Sequence, residues 1–74
     1  MAQSKTKTQL QALDELCLRM ATLLHATQSH LDTVAIIETT RETALVRTKV
    51  DEALMWLDRY HSGVLDELHA KRYE

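Results

Sequence analysis

The chain has 74 residues and a formal net charge of −2, which indicates one small domain and argues against a strongly basic nucleic-acid coat protein. Its single cysteine excludes an internal disulfide, and no apolar run approaches the roughly 18–20 residues that span a bilayer. A domain this small is marginal without a disulfide, a metal or partner subunits. One unpaired thiol and no secretory signal predict a reducing cytoplasm as its location.

The composition predicts an all-α fold, because it has one glycine, no proline and mostly good helix formers. Residues 1–6 are polar and aperiodic, and we expect a flexible tail there. From Leu10 onward, apolar residues alternate at spacings of three and four, which predicts helix A over about residues 7–28. This stripe contains Leu10, Leu13, Cys17, Met20, Leu24, Thr27, Leu31 and Val34.

The next segment, TQSHLDTVAIIETT, has neither glycine nor proline but is rich in β-branched residues, which are weaker in helices. We therefore expect the connector between the helices at about residues 29–39. Ser29 and Asp32 could form a capping pair. Thr39 and Glu42 fit a capping box better, because they come directly before the strongest helical segment.

Helix B is predicted from about residue 40 to residue 71, so that the two helices form an antiparallel hairpin. On a helical wheel, one group of its apolar residues clusters within about 40° of a single direction. We expect this group to face helix A. Its members are Val46, Val50, Ala53, Leu57, Tyr60 and Val64.

The opposite side of helix B also carries small, apolar and aromatic residues, where a hairpin in water should be polar. Two helices enclose only one layer of side chains and rarely fold alone. We therefore predict a compact homo-oligomer in which Ala44, Leu45, Met55 and Trp56 form the interface, with Trp56 as its anchor.

Arg41 and Thr48 lie one heptad apart on that same side. An arginine just inside a helix N-terminus, beside free backbone N–H groups, can bind an anion. Symmetry would bring copies of Arg41 together, and a phosphate-bearing ligand would neutralise them through bidentate hydrogen bonds. The structural alternative is an ion pair between subunits, from Arg41 to Glu38 or Glu42.

The segment RETALVRTKVDEALMWL, with Arg41, Ala44, Thr48 and Trp56, resembles the C-terminal helix of small phage proteins that act as cyclic-oligonucleotide sponges against CBASS immunity. Their hairpin domain is shared with phage sponges that counter Thoeris immunity. The resemblance covers about residues 10–60. It implies a homohexamer in the host cytoplasm that binds cyclic di- and trinucleotides without cleaving them, so that the CBASS effector is not activated.

Carried over by position, Arg41 and Thr48 match the arginine and threonine of the family's motif, and the arginine is the one implied to contact trinucleotide phosphates. The family's dinucleotide pocket uses an aromatic residue near the first helix and a lysine. Helix A lacks an aromatic residue, and Arg19, His25 or a tyrosine from another subunit could substitute. Arg19 is chosen as a phosphate contact by role alone, and the alternative is a solvated helix charge. We expect no cofactor, no DNA partner and no membrane association.

Other chemistry has weaker support in the sequence. The pairs Asp58 with His61 and Asp66 with His69 have carboxylate–histidine spacing of di-iron bundles, but the matching glutamates are missing, and solvated charge pairs are the preferred interpretation. Cys17 lies on the core stripe and is predicted to be a small buried hydrophobe.

No nucleophile–base arrangement, metal motif or phosphate loop is recognisable, so we do not expect an enzyme or a bound metal. The alternative hypothesis to a sponge is a structural or partner-binding helical oligomer with no small ligand.

Overall fold

The computed structural model describes residues 5–71, which fold into two helices. Helix α1 spans Lys7–Ile37 and helix α2 spans Arg41–Lys71, and each contains 31 residues. They pack side by side as a slab of 53 × 22 × 13 Å. Because Lys5 pairs with Glu67 at one end, the helices are antiparallel. The all-α helical hairpin predicted from the sequence is confirmed for this part of the chain.

Helix α1 begins with a reciprocal capping box. The side chain of Thr6 accepts a hydrogen bond from the backbone N–H of Gln9 at 3.1 Å, and Oε1 of Gln9 accepts one from the backbone N–H of Thr6 at 3.0 Å. These bonds satisfy two N–H groups that a helix start would leave unpaired. The predicted start near residue 7 is therefore confirmed. Of the predicted tail at residues 1–6, Thr6 is this cap, and residues 1–4 lie outside the described range.

The predicted end of the first helix near residue 28 is wrong, because α1 continues to Ile37. The connector occupies residues 38–40 and not 29–39. Glu38 ends the helix by adopting an extended conformation, φ −154° and ψ 134°, while its N–H still donates to the carbonyl of Val34 at 2.8 Å. The β-branched segment is thus the last part of a helix.

Contacts with α2 explain why this weak helix former remains helical. The side-chain amide of Gln28 donates to Oδ1 of Asp51 at 2.8 Å, and the guanidinium of Arg47 lies 2.9 Å from Oδ1 of Asp32. Both contacts need the last turns of α1 to run alongside α2. Tertiary contacts therefore outweigh the modest intrinsic preference of β-branched residues against helix.

The cap of α2 is one residue later than the predicted pair of Thr39 and Glu42. Oγ1 of Thr40 accepts from the backbone N–H of Thr43 at 3.2 Å, and Oγ1 of Thr43 accepts from the backbone N–H of Thr40 at 2.9 Å. A threonine thus takes the position that a glutamate or glutamine usually occupies in a capping box. Thr39 instead donates its hydroxyl to the carbonyl of Ala35.

This cap gives a testable expectation. Thr40→Ala should lower the free energy of unfolding by about 1 kcal/mol, because an alanine leaves the N–H of Thr43 without its acceptor. Thr39→Ala is the matched control and should have a smaller effect, since its hydroxyl only supplements a helix carbonyl. Chemical denaturation of both variants would compare them, and a larger loss for Thr39→Ala would contradict the observed cap.

The seam between the helices consists of residues spaced alternately three and four apart, as antiparallel helix packing requires. Of these, Leu10, Cys17 and Val64 are the buried residues of the described range, and most others are half-buried. On α1 the seam contains Leu10, Leu13, Cys17, Ala21, Leu24, Gln28 and Leu31. On α2 it contains Thr43, Arg47, Val50, Leu54, Leu57, His61, Val64 and Leu68.

The predicted inner face of the second helix is therefore only half correct. Val50, Leu57 and Val64 lie in the seam, whereas Val46, Ala53 and Tyr60 are exposed. The helix is rotated by roughly 60° from the apolar direction chosen on the wheel. This rotation places the polar residues Thr43, Arg47 and His61 in the seam. Two of them pair with acidic residues of α1, Arg47 with Asp32 and His61 with Asp14.

Candidate functional site

Arg41 is the first residue of α2 and is exposed at the end of the hairpin where the chain reverses. Among the arginines of residues 5–71, it alone has neither a carboxylate nor an aromatic partner. The other three arginines each have a partner. Arg19 lies 2.5 Å from Glu15, Arg47 lies 2.9 Å from Asp32, and the guanidinium of Arg59 lies 4.9 Å from the centre of the Trp56 ring. The guanidinium of Arg41 is therefore available to a group outside the chain.

The surroundings of Arg41 favour negative charge. The first N–H groups of a helix point outward along its axis and carry a partial positive charge. Thr40 caps only the N–H of Thr43 with its side chain, while its carbonyl accepts from Ala44. Glu42 is the one acidic residue of this first turn, and it forms no ion pair within residues 5–71. An approaching anion therefore meets an arginine and a helix N-terminus together.

Thr48 is also exposed, one heptad after Arg41 on the outer edge of α2. Its hydroxyl donates to the carbonyl of Ala44 at 3.1 Å, so its oxygen can still accept a hydrogen bond. Seven residues separate the two side chains by roughly 10 Å along the axis. A ligand that contacts both must therefore be larger than a single phosphate.

A shallow groove adjoins Thr48 near the turn of the hairpin. It has a volume of about 270 Å³ and is lined by Leu31, Ala35, Thr39, Thr43, Ala44, Arg47 and Thr48. Pockets that enclose drug-sized ligands are usually about 300–1,000 Å³ and deeply concave. This groove is therefore smaller and shallower than a pocket that encloses a drug-sized ligand.

Arg19 lies far from Arg41 within one chain. Since Asp32 is level with Arg47, Arg41 is level with the end of α1, and Arg19 is roughly 28 Å away along the hairpin. Its guanidinium is exposed and pairs with Glu15 one turn earlier. The hairpin therefore does not bring Arg19 into one site with Arg41 and Thr48.

The four predicted interface residues are all exposed, and Trp56 is 59% accessible. They do not form one patch, because a step of 100° per residue puts Ala44 and Met55 toward one broad face of the slab and Leu45 and Trp56 toward the other. The guanidinium of Arg59 covers part of the indole. The predicted interface thus wraps around the outer edge of α2.

Sequence reasoning missed a polar link across the seam. Nε2 of His61 lies 2.5 Å from Oδ1 of Asp14, and both side chains are largely buried. The sequence had suggested Asp58 as the carboxylate paired with His61. Asp14 comes three residues before seam residue Cys17, and that position at the seam edge is the signal that could have identified it.

Cys17 is buried, as predicted, with 1% of its surface exposed. Burial raises the pKa of its thiol, and the nearby carboxylate of Asp14 raises it further. Both effects disfavour the thiolate, which is the reactive form. Within residues 5–71, no group of three His, Cys, Asp or Glu residues is placed to hold a metal ion.

Comparisons with known proteins leave the family of this chain open: no family model matches it, and neither a curated protein nor a solved structure is significantly similar. Over the described range, neither helix contains a stretch long and apolar enough to cross a membrane. The site must therefore be interpreted from its own residues.

Proposed function

We propose that this protein is a phage immune-evasion protein that sequesters cyclic di- and trinucleotide second messengers without cleaving them, and so blocks activation of CBASS effectors. The observation that carries the proposal is Arg41, an exposed arginine at a helix N-terminus with no ion-pair partner in residues 5–71. The segment around it resembles the binding helix of the sponge family. Host-cell cytoplasm, where these messengers act, is the proposed location.

Phosphodiester groups suit this arrangement. A guanidinium donates two parallel hydrogen bonds to phosphate oxygens, and it stays charged at any physiological pH. In the proposed complex Arg41 binds a phosphate and Thr48 contacts the same ligand about two turns further along α2. A cyclic oligonucleotide has several phosphates in a ring, so it can meet the arginines of several subunits at once.

The large exposed surface of the hairpin also supports the proposal, because it favours assembly of several chains. The hairpin exposes 5970 Å², whereas a globular monomer of 8.5 kDa exposes roughly 4,700 Å². The excess of roughly 1,300 Å² and the scarcity of buried residues favour a homo-oligomer, proposed as a hexamer from the family resemblance. The outer edge of α2, with Ala44, Leu45, Met55 and Trp56, contributes contacts between subunits.

An oligomer also gives Arg19 a possible role. It lies about 28 Å from Arg41 on its own chain, so it can complete a site near Arg41 only from another subunit. We propose it as an additional phosphate contact of that kind. Its ion pair with Glu15 is exposed and therefore weak enough to exchange for a phosphate.

The alternative is a structural or partner-binding homo-oligomer with no small ligand. The same exposed apolar side chains favour it, and Arg41 would then pair with Glu38 or Glu42 of a neighbouring subunit. The two functions differ in what Arg41 contacts, and they therefore predict different responses to cyclic nucleotides.

Thermal melting and calorimetric titration with cyclic di- and trinucleotides test the proposal. A ligand at 100 times its dissociation constant should stabilise the protein by about 2.7 kcal/mol. Linear oligonucleotides of the same bases are the control and should bind more weakly. Chromatography of the released ligand should recover it intact. Absence of a shift with every cyclic nucleotide would support the structural alternative.

A further inference from the structure

One broad side of the hairpin, here called the apolar face, carries a second stripe of α1 that lies outside the seam. Leu16, Met20, Leu23, Thr27 and Val34 follow one another at heptad spacing beside the seam. All except Thr27 are classed as exposed, and Leu23 is 68% accessible. This stripe has the spacing of a packed helix surface, but nothing in the described chain covers it.

Helix α2 continues the apolar face with a stripe of its own. Val46, Lys49, Ala53, Trp56 and Tyr60 are spaced alternately three and four apart, and all are exposed. In an antiparallel pair, the direction of each stripe on the helical wheel puts both on the same side of the slab.

A shallow groove lies between the α2 stripe and the seam. It has a volume of about 360 Å³, an almost entirely apolar lining, and contributions from Leu24 of α1 and Leu45, Val46, Lys49, Val50 and Ala53 of α2. The groove therefore extends the apolar surface of α2 as far as Leu24 in the seam, beside the α1 stripe.

The other broad side also exposes apolar residues, namely Leu18, Ile36, Met55 and Leu65, but it differs in carrying polar contacts between the helices. The contacts of Gln28 with Asp51, Asp32 with Arg47, and Asp14 with His61 all leave the seam on that side. On the apolar face, Lys49 is the one Asp, Glu, Lys or Arg residue among the ten residues named, and Glu52 lies 3.6 Å from its amino group. Glu42 and Glu67 continue the α2 stripe at its two ends, so the low charge is confined to the middle of this face.

We infer that the apolar face packs against the same face of a second copy of this chain and forms a four-helix core. Alternating spacings of three and four on both helices are the pattern by which bundle helices interlock. A typical stable interface buries about 800 Å² per partner, which the excess exposed surface of the hairpin can supply. The middle of this face carries one charge, Lys49, which is paired with Glu52, so it repels an identical surface very little.

A second copy fits better than an unrelated partner for a further reason. The hairpin has only three buried residues between positions 5 and 71, so it needs its apolar face covered in order to be stable at all. A copy of the same chain is always present when the chain is made. This inference refines the homo-oligomer of the proposed function by adding α1 to its interface, and it makes no use of the ligand.

Leu23→Glu tests the inference, with Leu18→Glu as its matched control. Both leucines lie on α1 and are mostly exposed, Leu23 at 68% and Leu18 at 55%, but Leu18 points to the other broad side. Leu23→Glu should convert the assembly into smaller species in sedimentation velocity, and Leu18→Glu should leave its size unchanged. Acrylamide quenching should show Trp56 becoming accessible only in Leu23→Glu.

Circular dichroism accompanies these measurements. If Leu23→Glu loses its helical signal, the milder Leu23→Ala should remain helical and raise the dissociation constant of the assembly about tenfold. A wild-type protein that is monomeric at tens of micromolar would overturn the inference, as would dissociation by Leu18→Glu but not by Leu23→Glu.

Ligand binding is measured separately from assembly, so the proposed function and the proposed interface can fail independently. An intact oligomer that binds no cyclic nucleotide would contradict the proposed function but not the proposed interface. A protein that binds cyclic nucleotides but tolerates Leu23→Glu without any change in size would do the reverse.

Discussion

Arg41→Ala is expected to abolish binding of cyclic trinucleotides while leaving the melting temperature of the unliganded protein unchanged or raised. Hydrogen bonds to charged groups contribute about 1.5–3 kcal/mol each, so losing a bidentate phosphate contact from every subunit removes most of the affinity. The guanidinium has no partner within residues 5–71, so the unliganded hairpin loses no internal contact. Calorimetric titration and a thermal melt of the same variant provide the two measurements.

Lys7→Ala is the matched control for this substitution. Lys7 is the first residue of α1, as Arg41 is of α2, and it too is exposed with no ion pair in the described range. Removing it deletes one positive charge from a helix N-terminus without touching the proposed site. Equal losses of binding in both variants would indicate general electrostatic attraction. A clear loss of stability in Arg41→Ala would indicate a structural ion pair between subunits.

Trp56→Glu is expected to break the assembly and leave the free hairpin largely unfolded. The indole is the largest exposed apolar group on α2 and lies on both the predicted interface and the apolar face. A buried carboxylate without a partner would be strongly unfavourable there. With so few buried side chains, a separated hairpin should retain little stability. Sedimentation velocity and circular dichroism would record the change in size and in helix content.

The Leu18→Glu protein also serves as the control here, because it introduces the same charge on the polar broad side. Trp56→Phe should preserve the assembly, since an aromatic ring of smaller size still fills the contact. A Trp56→Glu protein that stays helical and monomeric would show that the hairpin is stable alone. That outcome would remove the argument for assembly from its exposed surface.

Local sequence signals predicted the helices well and their connection poorly. The composition and heptad from Leu10 were sufficient for an all-α hairpin that starts near residue 7. The turn was misplaced because β-branched residues lower helix propensity by only tenths of a kcal/mol each, which contacts across the hairpin outweigh. Those contacts, such as Arg47 with Asp32, join residues distant in sequence. No local sequence pattern predicts such long-range contacts.

The inner face of α2 was misjudged for a related reason. A helical wheel identifies the most apolar side of a helix. For α2 it therefore placed Val46, Ala53 and Tyr60 toward α1, and not Arg47 and His61. Arg47 and His61 nevertheless lie in the seam, because each of them pairs with an aspartate of α1. A helix in an assembly can have more apolar surface on its outer side than toward its hairpin partner. Apolarity alone then cannot tell which surface is covered first.

The candidate site, like the fold, was predictable from the sequence only in part. The position of Arg41 at a helix start followed from the sequence, and so did the shared edge with Thr48. Whether Arg41 has an acidic partner depends on where Glu38 and Glu42 point once the chain folds, which no spacing rule fixes. In the proposed complex, the rest of the pocket would come from neighbouring subunits, and the sequence pattern of one chain does not define their arrangement.

The three polar contacts across the seam also act as register marks along the hairpin. Sliding one helix by a heptad, about 10 Å, would keep much of its apolar seam in contact. It would, however, separate Asp14 from His61, Gln28 from Asp51, and Asp32 from Arg47 at the same time. Slippage is therefore penalised at three points along the seam. The same three contacts consequently fix the height of Arg41 relative to α1 within the hairpin.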